Sequence, residues 1–219
     1  MKTCVLLPAY NEEKTIGGLV RDIRRHVGDV IVVDDGSADN TAAAAAEAGA
    51  VVLSNGKNMG KGASLRRGFE YITRQDCDAV ITMDADRQHD FNEIPVFVKR
   101  MEETGADIVL GTRMGSHEGM PLLRLLTNLV TSFIVSALCR CRVTDSQTGY
   151  RMIKTEVLRN VRLETANYET ESEILIKAAK KKYFITEAPI KTIYGGQESK
   201  IKPGRDTLRF ISLVVKSIF

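Results

Sequence analysis

The 219-residue sequence is poor in cysteine and histidine, and this scarcity excludes two kinds of small stabilised domain. Its four cysteines are too few and too irregularly spaced for a disulfide scaffold. Cys139 and Cys141 stand only two residues apart, but no histidine cluster accompanies them, so a zinc site is not expected. We therefore expect Cys4, Cys77, Cys139 and Cys141 to be reduced thiols in a cytoplasmic protein.

A long, uninterrupted hydrophobic run is also missing, which argues against a membrane-spanning segment. The most apolar stretch, residues 122–138, is interrupted by an arginine and by several threonine, serine and asparagine side chains. A spanning helix needs about 20 predominantly apolar residues. No secretory signal is expected, because a strand-like segment begins at Cys4 without a cleavage pattern after it.

Two common nucleotide-binding loops are absent as well. The glycine-rich segment at residues 55–62 lacks the spacing and the final serine or threonine of a Walker A loop, and it lacks the Gly-x-Gly-x-x-Gly pattern of dinucleotide folds. Kinases and dehydrogenases built on these loops are thereby excluded. The segment could be an ordinary turn. However, Lys61 stands at the start of a predicted helix, where anions are favoured, so it is a candidate substrate contact.

The composition that remains is that of a folded domain with an uneven charge distribution. Hydrophobic residues make up 43% and charged residues 27%, which argues against a disordered or fibrous chain. The net charge is only +3, but residues 1–149 carry 17 basic and 20 acidic side chains, whereas residues 150–219 carry 14 and 8. The uneven distribution is either chance scatter or a sign that the protein binds a metal or sugar at one end and an anion at the other.

Short apolar runs alternate with helical patterns through the first half of the chain. Strands are predicted at residues 4–8, 30–33, 51–53, 79–83 and 108–110, with helices at 15–27, 39–48, 63–74 and 92–103 between them. Continuous Val and Ile runs between helices are typical of a parallel sheet that is covered on both faces. The predicted fold is therefore α/β, a doubly wound, mostly parallel sheet in a single domain.

From residue 114 onward the pattern becomes mainly helical. Apolar residues recur at helical spacing over residues 122–138, and the simplest explanation is a core-facing helix; the alternative is contact with lipid or a hydrophobic acceptor. Further helices are predicted at 171–182 and 206–219. Strand-like residues at 184–186 and 190–194 and a polar, flexible loop at 195–204 lie between them.

Polar residues follow the predicted strands at one edge of the sheet, where ligands of open parallel sheets bind. They are Tyr10, Asn11 and Glu12 after strand one (which ends in Pro8), Asp34 and Asp35 after strand two, Asp84, Asp86 and Gln88 after strand four, and Thr112 and Arg113 after strand five. Helix capping explains residues 39–41, but it requires neither the consecutive acids Asp34 and Asp35 nor the pair that follows strand four.

Asp84-Ala85-Asp86 is the sharpest local feature of the sequence. Two carboxylates one residue apart at a strand end can both face one hard divalent cation, and Gln88 could add a carbonyl oxygen. Such a shell suits Mg²⁺ or Mn²⁺, which take further ligands from water and substrate phosphates. The sequence therefore predicts a metal site formed by Asp84, Asp86 and Gln88.

Taken in order, these motifs resemble glycosyltransferase family 2, whose members bind nucleotide sugars on a GT-A fold. The matching segments are residues 5–13, 33–37, 58–68, 84–86, 111–113 and 145–151. Within the family, the chain is most similar to the polyprenyl-phosphate hexosyltransferases, the dolichyl-phosphate mannose and glucose synthase group. Members of that group often carry membrane helices after the catalytic domain, whereas this sequence ends at Phe219.

The resemblance implies a role for each matching position. The residues implied in nucleotide-sugar binding are Pro8, Tyr10, Asn11, Glu12, Val33, Asp35, Lys61, Asp84, Ala85 and Arg113, with Asp35 near the base or ribose. Those implied at the acceptor or diphosphate are Gln147, Arg151, Lys202 and Arg205. The implied catalytic residues are Asp86, Arg113, Asp145 and Glu171. Residues 1–113 would form the nucleotide-sugar half and residues 114–219 the acceptor-side half.

The implied reaction is the inverting, metal-dependent transfer of a hexose from a nucleoside diphosphate sugar to a polyprenyl phosphate. We expect peripheral contact with the cytoplasmic face of the membrane through the apolar stripes at 122–138 and 206–219, a membrane subunit as a candidate partner, and no nucleic acid. Three alternatives stay open. One is a family 2 enzyme that glycosylates a sugar hydroxyl, with Glu171 or Asp145 as general base. The others are a non-catalytic nucleotide-binding module and a nucleotidyltransferase, although residues 8–12 lack the basic side chains usual in the latter.

Overall fold

A computed structural model describes residues 1–113, 122–191 and 203–218 of the chain. In chain order its elements are β1 (Thr3–Ala9), α1 (Glu13–Ile23), β2 (Asp29–Asp34), α2 (Thr41–Glu47), β3 (Val51–Ser54), α3 (Lys61–Ile72), β4 (Ala79–Thr82), a 3-10 turn (Phe91–Glu93), α4 (Ile94–Thr104), β5 (Ile108–Thr112), α5 (Leu122–Cys139), β6 (Arg151–Lys154), α6 (Thr155–Asn160), α7 (Thr170–Lys180), β7 (Ile185–Pro189) and α8 (Pro203–Ile218).

The strands form one seven-stranded sheet in the order β3-β2-β1-β4-β6-β5-β7. β1 pairs in parallel with β2 and β4, β2 with β3, and β5 with β7, whereas β6 is antiparallel to both of its neighbours. β1, β2, β4 and β5 therefore run in the same direction, and their carboxyl ends meet at one edge of the sheet.

Hydrophobic cores lie on both faces of the sheet, because alternate residues of a strand point to opposite faces. In β1, Val5 and Leu7 pack with residues of α1 and α4, whereas Cys4 and Leu6 pack with residues of α3, α5 and α7. This arrangement confirms the predicted α/β class, the mostly parallel sheet and the helices on both faces.

Strand β6 and helix α6 were not predicted from the sequence. The motif at residues 145–151 ends at Arg151 and predicts no strand, yet Arg151–Lys154 forms the antiparallel strand between β4 and β5. Four residues carry too little periodicity to distinguish a strand from a loop, and their β structure comes from pairing on both sides. The predicted strand-like residues 192–194 and loop residues 195–202 lie outside the described part of the chain.

Helix α5 is oriented in a way that the sequence did not predict. In the middle of the helix the polar side chains of Asn128 and Ser132 point inward, and the apolar side chains of Leu129 and Phe133 point to solvent, with Phe133 77% exposed. Asn128 Nδ2 donates to Asp145 Oδ1 at 2.9 Å, and Ser132 hydrogen-bonds with residues of the loop before β6. The simplest explanation, a core-facing helix, is therefore wrong for this part of α5.

No helix among the described residues has both the length and the apolar character needed to cross a membrane.

Candidate active site

The carboxyl edge of the sheet brings together charged residues that are far apart in the sequence. Lys61 is the first residue of α3, Asp84 follows β4, and Glu171 lies in the first turn of α7. The Lys61 ammonium contacts Asp84 Oδ1 and lies 2.7 Å from Glu171 Oε1, with the lysine side chain only 17% exposed. The sequence predicted Lys61, Asp84 and Glu171 separately, but it gave no sign that they form one cluster.

The charges in this cluster are mutually stabilised. Burial acts to lower the pKa of Lys61, but the carboxylates of Asp84 and Glu171 outweigh it and raise that pKa above its ordinary value. Burial also acts to raise the pKa of Asp84, but the Lys61 charge and the nearby His89 hold it well below its ordinary value. Lys61 and Asp84 therefore form an ion pair.

Asp86 has a different environment from Asp84, although only Ala85 separates them. Burial and the negative charge of Asp84 both raise the pKa of Asp86, and they outweigh a hydrogen bond from the Gln88 N–H to Asp86 Oδ1 at 3.0 Å and the charges of His89 and Lys61. A carboxylate that is held against a like charge is electrostatically unfavourable in the metal-free protein. An added cation would relieve that repulsion.

The side chains at this position are of a type that binds divalent cations, because they offer carboxylate oxygens. In the described part of the chain, acidic, histidine and cysteine side chains do not form a group of three or more that could hold a metal ion. Asp84 and Asp86 would therefore supply two ligands, and substrate phosphates and water the rest, as Mg²⁺ and Mn²⁺ accept. Gly149 lies against this position, since a Cβ there would come within 2.9 Å of the Asp84 carboxylate. Gln88 is partly exposed beside Asp86.

Asp35 organises the glycine-rich loop in front of Lys61. Its Oδ1 accepts hydrogen bonds from Asn55 Nδ2 at 2.7 Å and from the Met59 N–H at 2.9 Å, and its Oδ2 accepts one from the Gly60 N–H at 2.8 Å. Gly60 has a φ of +97°, which a side chain would disfavour. Asp35 thus positions the start of α3, a role that the sequence resemblance did not imply.

The loop after β1 is attached to the loop after β2. Asn11 Oδ1 accepts a hydrogen bond from the Ala38 N–H at 2.9 Å, and the Glu12 N–H donates to Thr41 Oγ1 at 2.7 Å. Tyr10 is 36% exposed at this edge, which leaves its ring accessible to a ligand.

Three residues of the implied nucleotide-sugar set are part of the sheet or pack against it. Pro8 lies within β1, and Val33 is completely buried in β2. Ala85 is also buried, and its carbonyl accepts a hydrogen bond from Thr15 Oγ1 at 3.2 Å. The nucleoside contacts implied for these three residues stay predictions.

Arg113 and Asp145 form a buried ion pair beside the cluster. Arg113 Nε donates to Asp145 Oδ2 at 2.6 Å and Nη2 to Oδ1 at 2.7 Å, and Asn128 adds a further bond to Oδ1. Burial acts to raise the pKa of Asp145, but these bonds hold it below its ordinary value. Because both oxygens are occupied, Asp145 does not fit the expected role of a general base. Arg113 is directed at Asp145, which does not match the expected phosphate contact.

Arg151 is also buried and bonded to the protein. Its Nη1 donates to the Glu171 carbonyl at 2.6 Å, and its Nη2 donates to the carbonyl of Thr148. It therefore connects the loop before β6 to the first turn of α7, and the structure does not place it at a surface where an acceptor could contact it. Gln147 is partly exposed in the same loop.

Of the two basic residues expected near the diphosphate, only Arg205 falls within the described part of the chain. Lys202 lies outside the described residues, and Arg205 is exposed in the first turn of α8. The Asp206 charge contributes to raising the pKa of Tyr168, whose ring centre lies 5.8 Å from the Lys61 ammonium. The first turn of α8 is therefore close to the cluster.

Sequence reasoning missed two aromatic neighbours of the cluster, His89 and Tyr168. His89 Nε2 lies 3.4 Å from Asp84 Oδ2, and its side chain is buried. Its position three residues after Asp86, in a sequence with only three histidines, was the signal that could have identified it. Tyr168 carried no comparable signal.

Comparisons with known proteins identify the family of the chain. Residues 4–162 match the family model described as Glycosyl transferase family 2. The chain is 34% identical over 213 residues to the UDP-N-acetylglucosamine–dolichyl-phosphate N-acetylglucosaminyltransferase of Methanococcus voltae. That alignment covers 87% of this chain and 85% of the relative. It is 31% identical over 203 residues to the dolichyl-phosphate hexose transferase of Haloferax volcanii, covering 91% of this chain and 86% of that protein.

Solved structures support the fold. Glucosyl-3-phosphoglycerate synthase from Mycobacterium tuberculosis, in complex with Mn²⁺, uridine diphosphate and phosphoglyceric acid, superposes with a TM-score of 0.76 at 22% identity. The superposition covers 99% of this chain and 78% of that one. The likeness confirms the GT-A fold that the sequence resemblance implied.

Proposed function

This chain belongs to glycosyltransferase family 2, and from that premise we propose that it transfers a hexose, with inversion, from a nucleoside diphosphate sugar to a polyprenyl phosphate at a membrane surface. Two relatives have names that specify dolichyl phosphate, and they support this choice of acceptor. The observation that carries the proposal is the orientation of α5.

Helix α5 connects the site to an exposed apolar surface. Its inward side bonds through Asn128 to Asp145, which pairs with Arg113 at the end of β5. On the outward side, Leu126, Leu129, Val130 and Phe133 are exposed. Apolar side chains turned to water on a helix that buries Asn128 and Ser132 indicate a surface that is covered in use. An isoprenoid chain and the bilayer that holds it have the matching chemistry.

Helix α8 presents a second apolar stripe. Leu213 is buried and Phe210 packs against the core, whereas Leu208, Ile211, Val215 and Ile218 are exposed at helical spacing. Basic residues accompany this stripe, since Arg205 and Lys216 are exposed on the same helix. A helix with outward apolar residues and basic neighbours is suited to an anionic lipid surface.

The charged cluster supports transfer to a phosphate more than transfer to a sugar hydroxyl. A hydroxyl acceptor needs a general base, whereas a phosphate is already anionic near neutral pH. Asp145 forms a buried ion pair with Arg113, and Glu171 is only 6% exposed and forms an ion pair with Lys61. Both expected bases are already bonded to a cationic side chain, which favours an acceptor that needs no general base.

The donor side is proposed to depend on Mg²⁺ or Mn²⁺ held by Asp84 and Asp86, with Gln88 beside them. A cation bound there would neutralise the charge that grows on the leaving diphosphate. Lys61 lies next to the same carboxylates and could face that diphosphate.

The decisive experiment is a donor panel. UDP-glucose, UDP-N-acetylglucosamine, GDP-mannose and related sugars are incubated with a polyprenyl phosphate and Mn²⁺, and the lipid product is identified by mass. We expect one donor to yield a glycosylated polyprenyl phosphate. If a sugar or glycolipid acceptor is glycosylated and polyprenyl phosphate is not, the alternative reaction replaces this one.

Replacing Glu171 with glutamine separates the two acceptor classes. Transfer to a phosphate should fall by about tenfold or less, because no general base is lost, whereas removal of a general base typically costs about 10²–10⁴-fold. Glutamine also keeps a hydrogen-bond acceptor for Lys61. The measurement is kcat with polyprenyl phosphate at saturating donor.

Glu173→Gln serves as the control, since it alters a similarly buried carboxylate of α7 that bonds to Thr165 and Lys177 rather than to Lys61. Complete loss of transfer in Glu171→Gln, with an unchanged circular dichroism spectrum and an active control, would count against a phosphate acceptor.

Replacing Phe133 with glutamate tests the lipid contact. Burial of a phenylalanine contributes about 1.5–3 kcal/mol, so the variant should bind anionic vesicles at least about tenfold more weakly in co-sedimentation at low salt. Phe184→Glu is the matched control, because Phe184 is exposed at the opposite edge of the sheet, where its carbonyl accepts from the Asp107 N–H. Failure of the unaltered protein to bind the vesicles at low salt contradicts the membrane contact.

A further inference from the structure

The Lys61 ammonium occupies the carboxylate that a metal ion would need. It contacts Asp84 Oδ1, and His89 Nε2 lies 3.4 Å from Asp84 Oδ2, so each oxygen of Asp84 already has a neighbour. Gly149 lies against the same carboxylate and closes off a further direction. A cation that binds Asp84 would therefore either displace one of these neighbours or share an oxygen with it.

Lys61 is the partner that can move. It is held on a flexible four-carbon stem, and Glu171 Oε1 at 2.7 Å offers it a second carboxylate without a change of backbone. His89 is a short, buried ring that packs against Tyr150, with 5.0 Å between ring centres.

We propose that Lys61 and the divalent cation are alternative partners of Asp84. The ammonium neutralises Asp84 in the metal-free protein, and it withdraws toward Glu171 and the donor diphosphate when the cation binds. The inference rests on the proposed metal-dependent function and assigns Lys61 a role toward the metal itself.

Electrostatics explains why the metal-free protein would need such a substitute. Asp84, Asp86 and Glu171 place three carboxyl groups near one another at the sheet edge, and burial of unpaired carboxylates is costly. One ammonium group satisfies two of them. Two cations at the same carboxylate oxygen would repel each other, so occupation by one weakens the other.

The test compares Mn²⁺ affinity without nucleotide, measured by electron paramagnetic resonance of free Mn²⁺. Because its competitor is removed, Lys61→Met should bind Mn²⁺ about tenfold more tightly than the unaltered protein. Lys57→Met is the control, since it removes an exposed positive charge from the same glycine-rich loop and should change the affinity by about twofold or less.

Equal or weaker Mn²⁺ binding by a folded Lys61→Met variant overturns the inference while leaving the metal site intact. Absence of Mn²⁺ binding by every protein in the series, the unaltered one included, both without nucleotide and with UDP added, overturns the proposed metal dependence on which the inference rests.

A second measurement needs no variant, in case loss of a buried cation prevents folding. The unaltered protein is acetylated briefly with and without Mg²⁺ at constant ionic strength, and the modification of individual lysines is read by peptide mass spectrometry. Lys61 should be modified severalfold faster with Mg²⁺, whereas exposed Lys57 should not change. A rate at Lys61 that is unchanged or slower with Mg²⁺ overturns the inference.

Discussion

Replacing Asp86 with alanine is expected to abolish sugar transfer, with a loss of at least about 10³-fold in kcat, because a metal ligand at the leaving diphosphate contributes several kcal/mol to the transition state. The folded protein should survive the change. Burial and the Asp84 charge raise the pKa of Asp86, so ionisation of this carboxyl group is less favourable in the folded protein than in the unfolded chain. The free energy of unfolding at pH 7 should therefore stay the same or increase.

This pairing of lost activity with retained stability distinguishes a metal ligand from a structural acid. The measurements are single-turnover transfer with saturating Mn²⁺ and urea unfolding of the metal-free protein. Asp76→Ala is the control, because Asp76 is a fully solvated acid that pairs with Lys2 at the opposite edge of the sheet. Retention of more than about a tenth of the transfer rate in Asp86→Ala would remove Asp86 from the proposed metal site.

Replacing Asp145 with alanine is expected to destabilise the protein by about 3–5 kcal/mol, the cost of leaving a buried charge without its partner. Arg113 is 6% exposed and Asp145 is completely buried, so the arginine cannot find water as a substitute. The double variant Arg113→Met/Asp145→Leu should recover most of the loss, because it removes both charges and fills the space. Urea denaturation measures the free energy of unfolding of each variant.

The exposed pair of Lys99 and Glu103, 3.7 Å apart on α4, supplies the control. Glu103→Ala should change the free energy of unfolding by about 0.5 kcal/mol or less. If Asp145→Ala costs less than about 1 kcal/mol and abolishes transfer, Asp145 is again the general base and the sugar-hydroxyl alternative gains support.

Local patterns predicted most of the sheet. Residues 30–33 are four consecutive Val or Ile residues, and such a run between two helices has few explanations other than a buried parallel strand. Asp84 and Asp86 could be singled out from the sequence for a similar reason. Their predicted relation as two metal ligands depends only on a spacing of two within one short segment. The edge of the sheet then followed from the common direction of β1, β2 and β4.

Patterns that involve distant partners were not predictable in this way. Thirty-two positions separate Arg113 from Asp145, and their mutual neutralisation depends on how the loop before β6 folds back on β5. The sequence resemblance implied that Arg113 and Asp145 each act on a substrate. In the structure their ion pair directs both side chains into the protein instead. Strand β6 was missed for a related reason, because only its neighbours β4 and β5 make it a strand.

The sequence by itself determined that this is an α/β protein with an acidic metal-type edge after β4 and an apolar helix at residues 122–138. Periodicity establishes that this helix has two chemically different faces, but a period contains no information about which face turns inward. The tertiary structure decided that, because Asp145 takes Asn128 as a buried partner and Leu126, Leu129, Val130 and Phe133 are left exposed. The tertiary structure also brought Lys61 into contact with Asp84 and Glu171. These three residues belong to separate elements, so their ion pairs form only when those elements pack together.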